Sequence, residues 1–410
     1  MRPRRATVRD LRRRNRSTLL STLFFDGPLS RHELGGHTGL SAATVSNVVG
    51  ELIDDGLVVE AGLVESDGGR PRVLLRVNPA YGHVVGIDVG ETGVTMEIFD
   101  LAMTRLATVV RPLGGERAHD VAVVGRMIAE GFGELLRVAG VSDDSLIGVG
   151  IGVPGTVEQG ATVRVHAQTI GWDGVELAAL LRAEGITVPV FVENGAKTLG
   201  QAEMWFGAGR GTRHAVIALI GSGVGATVIT DGTTYRGATS SAGEWGHTTL
   251  MFNGRPCRCG ALGCLEAYVG AEGILDRYRR ARGGRAIPRT DEQSQLDFLL
   301  DSVERSSTAA DIVAATVGYL GAGISNLVNL FNPERIVLGG WAGVALGSRL
   351  LPEIRTATAA HALRHAYEQT SIVLCELGQD AVAVGAATLP VETLLNLGSD
   401  PRVRPKVPAI

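Results

Sequence analysis

Three of the four cysteines in this chain fall within eight residues, at Cys257, Cys259 and Cys264, and His247 stands ten residues before the first of them. Three thiols and an imidazole are the soft donor set that Zn²⁺ takes in closed tetrahedral sites. Such a set leaves no open coordination position, so one structural zinc per chain is expected to brace a loop and not to activate water. The same stretch, from Glu244-Trp-Gly-His247 to Cys264-Leu-Glu266, interleaves two carboxylates with the ligands. The chemistry is therefore expected beside the metal. The remaining Cys375, inside Ser-Ile-Val-Leu-Cys-Glu-Leu, reads as a buried strand residue.

The elements that must position these residues show themselves as an internal repeat. His83–Asp100 aligns without a gap on His214–Asp231, with Gly90 falling on Gly221 and both copies closing on an aspartate. Each copy reads as strand, glycine turn, strand, and two copies in an alternating α/β chain imply two similar lobes with a cleft between them. Turns of this kind let backbone N–H groups approach phosphates, although any tight hairpin needs the same glycines. Between the copies come a helical stretch at 120–139, an apolar Gly-rich strand at 147–153, and a strand at 188–192 that ends in Glu193-Asn194-Gly195. Polar residues at the C-terminal end of such a strand sit where α/β sheets bind ligands. A helix at 307–330 leads into a strand ending in Gly339-Gly340, and the last residues, with three prolines after Ser399, read as a loose tail.

The chain has 410 residues, 45% of them hydrophobic, enough for two or three domains. No run of eighteen apolar residues occurs and no apolar segment follows the Arg-rich start, so neither a membrane span nor a secretory signal is expected, and the location is read as cytoplasmic. Net charge is −4, but residues 1–16 hold eight arginines and one aspartate. A basic head on an acidic body points to a polyanion at one end. That head reads as a helix over Ser17–Phe25, a capping box at Ser30-Arg-His-Glu33, a Gly39-Leu40 turn, and a helix capped by Ser41 running to about Asp54. A hairpin with a basic tip, Gly68-Gly-Arg-Pro-Arg72, follows. Helix-turn-helix plus hairpin is a winged helix, in which Ser41, Thr44, Ser46 and Asn47 would meet base edges of double-stranded DNA. Arg70 and Arg72 would reach phosphates or the minor groove. A small helical module that packs on protein is the alternative reading.

These residues together resemble the ROK family (repressor, open reading frame, kinase), in the branch with an N-terminal winged helix, from the Arg-rich start to Gln379-Asp-Ala-Val-Ala-Val-Gly-Ala-Ala387. The resemblance implies an actin-like, hexokinase-type α/β fold with zinc on His247, Cys257, Cys259 and Cys264. It also implies a sugar held by Asn194, Glu244, His247 and Glu266. Nucleotide would lie over Asp88, Gly90 and Thr92, over Gly221 and Gly223, and over Gly339 and Gly340. Two departures matter. The family's kinases carry Asp after the strand-end Asn, as the base for the sugar hydroxyl, and here that residue is Gly195. They carry Asp-x-Gly-Gly-Thr in the first turn, and here Glu91 takes the place of the second glycine. Missing general bases usually cost ~10²–10⁴-fold in rate.

The expected protein is a sugar-sensing transcriptional regulator without kinase activity, acting as a dimer or tetramer on a near-palindromic operator. The alternatives are an active sugar kinase with a regulatory head, or a DNA-binding protein whose body only oligomerises. A glycine at 195 removes charge and volume, so the effector is expected to be a sugar or a sugar phosphate. The expected divisions are a head over 1–78, a linker over 79–82, a first lobe over 83–194 with about 381–396, a second lobe over 195–380, and a tail over 397–410.

Overall fold

The structure is a computed structural model and describes residues 7–66, 69–114 and 119–399. The head opens with α1 (Val8–Asp26), nine residues longer at its start than the sequence pattern indicated. Its start is set by a capping box between Thr7 and Asp10, hidden in sequence among the arginines. Then come α2 (Arg31–Thr38), with the expected Ser30–Glu33 box, and α3 (Ala42–Asp54), capped by Ser41. Gly39, at φ +68°, makes the left-handed turn between them. β1 (Val58–Ser66) and β2 (Gly69–Val77) form the antiparallel wing.

The first lobe is built on β3 (His83–Val89), β4 (Gly93–Asp100), β5 (Arg105–Pro112), α4 (Val121–Ala139), β6 (Leu146–Val153) and β7 (Val190–Asn194). Its sheet runs β7-β6-β3-β4-β5, parallel across β7, β6 and β3 and antiparallel through the hairpin. From β7 the chain passes directly into α5 (Gly195–Phe206) and the second lobe. There β8 (Ala215–Ile220) and β9 (Val224–Thr230) form the matching hairpin. α6 (Ser307–Phe331), β10 (Arg335–Gly339), α7 (Trp341–Ala359) and β11 (Ser371–Leu374) complete it, with β8, β10 and β11 parallel. Both sheets thus pair one hairpin with two parallel strands, as the repeat requires.

α8 (Ala381–Leu397) returns to the first lobe and packs on β3, β6 and α5. The glycines of the apolar strands explain how closely. A Cβ at Gly86 would stand 1.9 Å from the Ala383 carbonyl oxygen, and one at Gly150 would stand 1.7 Å from that of Ala386. Only glycine lets the helix backbone rest on the sheet there.

Within the expected linker at 79–82, Pro79–Tyr81 forms a short 3₁₀ turn. Leu19, Leu20 and Leu23 of α1 share one core with Val84, Ile147, Val391 and Leu394 of the first lobe. Arg16 donates through Nε to the Gly398 carbonyl at 2.8 Å. α6 is long and apolar enough to cross a membrane by composition, but half of that stretch is buried inside the second lobe. Cys375 differs from expectation: it lies just past β11 and is half-buried, because β11 ends at Leu374. The tail beyond residue 399 falls outside the described residues.

Candidate functional site

The two lobes enclose a cavity of about 1370 Å³. β3 delivers Asp88 and the first glycine turn, with Gly90, Glu91 and Thr92, to one wall. The matching turn of the β8–β9 hairpin brings Gly221 and Gly223 to the same space. Gly340, at φ +75°, also lines it, whereas Gly339 does not. Gly339 is the last residue of β10, and its α-carbon faces Leu199 in the core.

Asn194, Glu244, His247 and Glu266 all reach this cavity. Asn194 ends β7 and caps α5: its Oδ1 accepts from Lys197 N at 3.1 Å, and its Nδ2 donates to the Gly155 carbonyl. One amide proton and one lone pair are left for a ligand. Gly195 opens α5 with nothing closer to a Cβ position than the Val153 carbonyl oxygen, at 3.6 Å. Glu266 is 5% exposed, and its Oε2 accepts from Val224 N at 2.9 Å. Burial raises the pKa of Glu244, against the opposing pull of His247 and Lys197. Desolvation, assisted by Asp380, pushes Asp88 up to about 7.

His247, Cys257, Cys259 and Cys264 bring their donor atoms within 4.8 Å of one another. Cys257 Sγ is 3.7 Å from His247 Nδ1, and Cys259 Sγ is 3.7 Å from Cys264 Sγ. A tetrahedron with Zn–S bonds of about 2.3 Å has edges of about 3.8 Å. The donor set and its spacing therefore fit a closed four-coordinate metal. Trp245 anchors the loop by donating through Nε1 to the Gly323 carbonyl of α6 at 3.1 Å.

Two features beside the cavity escaped the sequence reading. Arg258, between Cys257 and Cys259, reaches from the second lobe to pair with Glu91, 167 residues away. Lys197 is buried, donates through Nζ to the Ser240 carbonyl, and has its pKa lowered by burial. An arginine set directly between two ligand cysteines was a signal for the first. Nothing local marked the second.

In the head, Ser41, Ser46 and Asn47 are exposed and Thr44 is half-buried, and the hydroxyls of Ser41 and Thr44 lie 2.9 Å apart. Ser41 Oγ accepts from Thr44 N at 3.2 Å, so its first role is to cap the helix. Arg72 is exposed on the wing; the side chain of Arg70 lies outside the described part of the structure. Part of the basic charge is paired within the head. Arg12 and Arg16 pair with Glu51 at 2.7 and 3.2 Å, and Arg16 also pairs with Asp55, tying α1 to the end of α3.

Among known proteins, the chain is 31% identical over 391 residues to a putative xylose repressor of Caldicellulosiruptor sp. (strain Rt8B.4), covering 93% of this chain and 96% of that protein. It is 33% identical over 317 residues to a glucokinase of Halalkalibacterium halodurans, covering 74% of this chain and 94% of the glucokinase. A solved ROK family transcriptional regulator, a homolog of the E. coli MLC protein, superposes with a TM-score of 0.76 at 24% identity, covering 95% of this chain and 97% of that one. The ROK family model matches residues 84–392. That matched range takes in both glycine-turn hairpins, the residues of the cleft and the His/Cys₃ loop, and the chain belongs to the ROK family.

Proposed function

We propose that this protein is a transcriptional repressor of sugar-metabolism genes, acting in the cytoplasm, whose ROK body binds a sugar and does not phosphorylate it. The observation that carries the reading is Gly195, which opens α5 at the cavity wall with no side chain to take a proton from a sugar hydroxyl. The comparisons support it: the xylose repressor matches head and body alike, whereas the glucokinase matches 74% of this chain.

In this reading Asn194, Glu244, His247 and Glu266 hold sugar hydroxyls. Zinc, bound by His247, Cys257, Cys259 and Cys264, supplies a rigid brace for the wall that presents them. His247 turns Nδ1 to Cys257, leaving its other ring nitrogen for a ligand. Ser46 and Asn47 read bases, and Arg72 with Arg70 of the wing contacts the phosphate backbone. A symmetric oligomer, dimer or tetramer, would require a near-palindromic operator.

α5 offers a route between sites. It is capped at the cleft by Asn194 and ends, about 18 Å away at 1.5 Å per residue, in Trp205 and Phe206. Trp205 packs edge-on against Phe24 and Phe25 of α1, with centroids 5.8 and 5.0 Å apart. A ligand that favours one placement of α5 would bias the head by no more than its differential affinity for the two states.

The test is a mobility shift of the protein's own promoter DNA, with wild type and Asn47→Ala, across a panel of hexoses and pentoses. Specific retardation that one sugar releases and Asn47→Ala weakens is expected. No retardation at any salt, or ADP production from ATP at a sugar kinase's rate, would overturn the reading.

A further inference from the structure

An ion pair bridges the two lobes at the cleft. Glu91 comes from the first glycine turn, in the first lobe; Arg258 comes from the metal loop of the second. The two meet in a bidentate pair, Arg258 Nη2 lying 3.2 Å from Glu91 Oε1 and Nη1 donating to Oε2. Their side chains keep 27% and 16% of their exposure. Glu91 is also fixed through its backbone, since His119 Nε2 lies 2.8 Å from its carbonyl oxygen and Trp172 holds the His119 carbonyl at 2.7 Å.

The pair sits against the second glycine turn. A Cβ at Gly223 would stand 3.0 Å from Glu266 Oε2, 3.3 Å from Glu91 Oε1 and 3.5 Å from Arg258 Nη2. A protein carboxylate therefore already occupies the space beside the backbone that an incoming phosphate would approach. The charge around it is unfavourable to a second anion. Arg258 also reaches Glu266 at 3.4 Å and Glu272 at 3.1 Å, so one guanidinium is shared by three carboxylates. Among the described residues that line the cavity, eight are Asp or Glu and none is Lys or Arg.

We infer that the Glu91–Arg258 pair is the specificity element of this cleft: it fills the anion position at the second glycine turn, so that the cleft admits an uncharged ligand and refuses a phosphorylated one, nucleotide or sugar phosphate alike. This rests on the reading of the cleft as the ligand site, and it selects the free sugar over the phosphorylated sugar that Gly195 alone would permit. Without Glu91, the Arg258 guanidinium and the Gly221–Gly223 backbone would face the cavity together, a combination that binds phosphate.

The experiment is calorimetric titration of the full-length protein, as purified with its metal, with inorganic phosphate and with ADP. Wild type, Glu91→Gln, Glu91→Gly and Arg258→Gln are compared after their melting curves show them folded. Both Glu91 variants should bind ADP at least tenfold more tightly than wild type, and Arg258→Gln should gain nothing because it lacks the guanidinium. Micromolar ADP binding by wild type, or affinities within threefold between wild type and folded Glu91 variants, would overturn the inference. In the sugar arm, wild type should prefer a free hexose or pentose to its terminal phosphate by at least tenfold, with the gap narrowing in Glu91→Gln; an equal or reversed preference in wild type overturns the inference as well. If no sugar binds while the ADP arm behaves as stated, the sugar-sensing reading fails and the role of the pair stands.

Discussion

Asp88 lies in β3, its backbone paired with Thr95 on one side and Gly152 on the other, while its carboxyl reaches the cleft. Burial, with a smaller push from Asp380, raises its pKa from 3.8 to about 7. In the unfolded chain the group ionises near its ordinary value. Between those two values the unfolded state releases a proton that the folded state keeps, so folding loses stability as pH rises, and the loss levels off above about 7. A shift of about three units at about 1.4 kcal/mol each gives about 4 kcal/mol, an upper bound because the cleft admits water. An asparagine side chain at this position is neutral and nearly isosteric. Asp88→Asn should therefore match wild type near pH 4, gain stability relative to it steadily between pH 4 and 7, and keep a constant advantage above that. Urea midpoints of both proteins measured at unit steps from pH 4 to 8 provide the check. Asp380→Asn, by removing the like charge, should make the loss level off at a lower pH. A difference between Asp88→Asn and wild type that is flat across the range, or that shrinks as pH rises, would refute the reasoning.

Three further outcomes follow from the geometry. Cys264→Ser removes a thiol 3.7 Å from Cys259 and should abolish zinc retention by elemental analysis, lower the melting temperature and weaken sugar binding; a metal-free wild type with an unchanged melting curve would contradict this. Gly195→Asp meets only the Val153 carbonyl oxygen and Val382 Cγ1, at 3.6 and 3.7 Å, so it should fold within about 1 kcal/mol of wild type. It should not restore phosphoryl transfer while Glu91 remains, and kinase turnover by this variant in a coupled assay would count against the role given to Glu91. Trp205→Ala loses edge-on contacts with Phe24 and Phe25 and should cost roughly 1–3 kcal/mol. If α5 links the sites, this variant should bind sugar and DNA yet release DNA poorly on sugar addition, and an intact response in the mobility shift would exclude that route.

Much of the architecture was legible because it rests on local signals. The Ser30–Glu33 capping box, the Gly39 turn and the amphipathic stripe of α3 define the head from residues close in sequence. The repeat of His83–Asp100 in His214–Asp231 marked both hairpins, since a strand–glycine turn–strand unit carries its own periodicity. The metal cluster was equally visible, because three of its four donors lie within eight residues. α1 was read nine residues short, because its cap lies in an arginine run whose apolar periodicity is weak.

What the sequence could not decide was how these units meet. Arg12 and Arg16 looked like part of a basic patch, and the fold uses them to tie α1 to Glu51 and Asp55. Ser41 and Thr44, which the sequence offers as base contacts, also bond to each other at the helix start. The boundary at 79–82 looked like a linker, yet the leucines of α1 share a core with the first lobe. Glu91 showed in sequence only as a misplaced charge in a glycine turn. Its partner Arg258 is 167 residues away and reaches it only once both lobes have closed around the cavity. Local spacing determined the identity of the chemical groups in this protein. Their charge balance, and hence which ligand the cleft can accept, was decided by the packing of one lobe against the other, because ion pairs depend on distance in space and not along the chain.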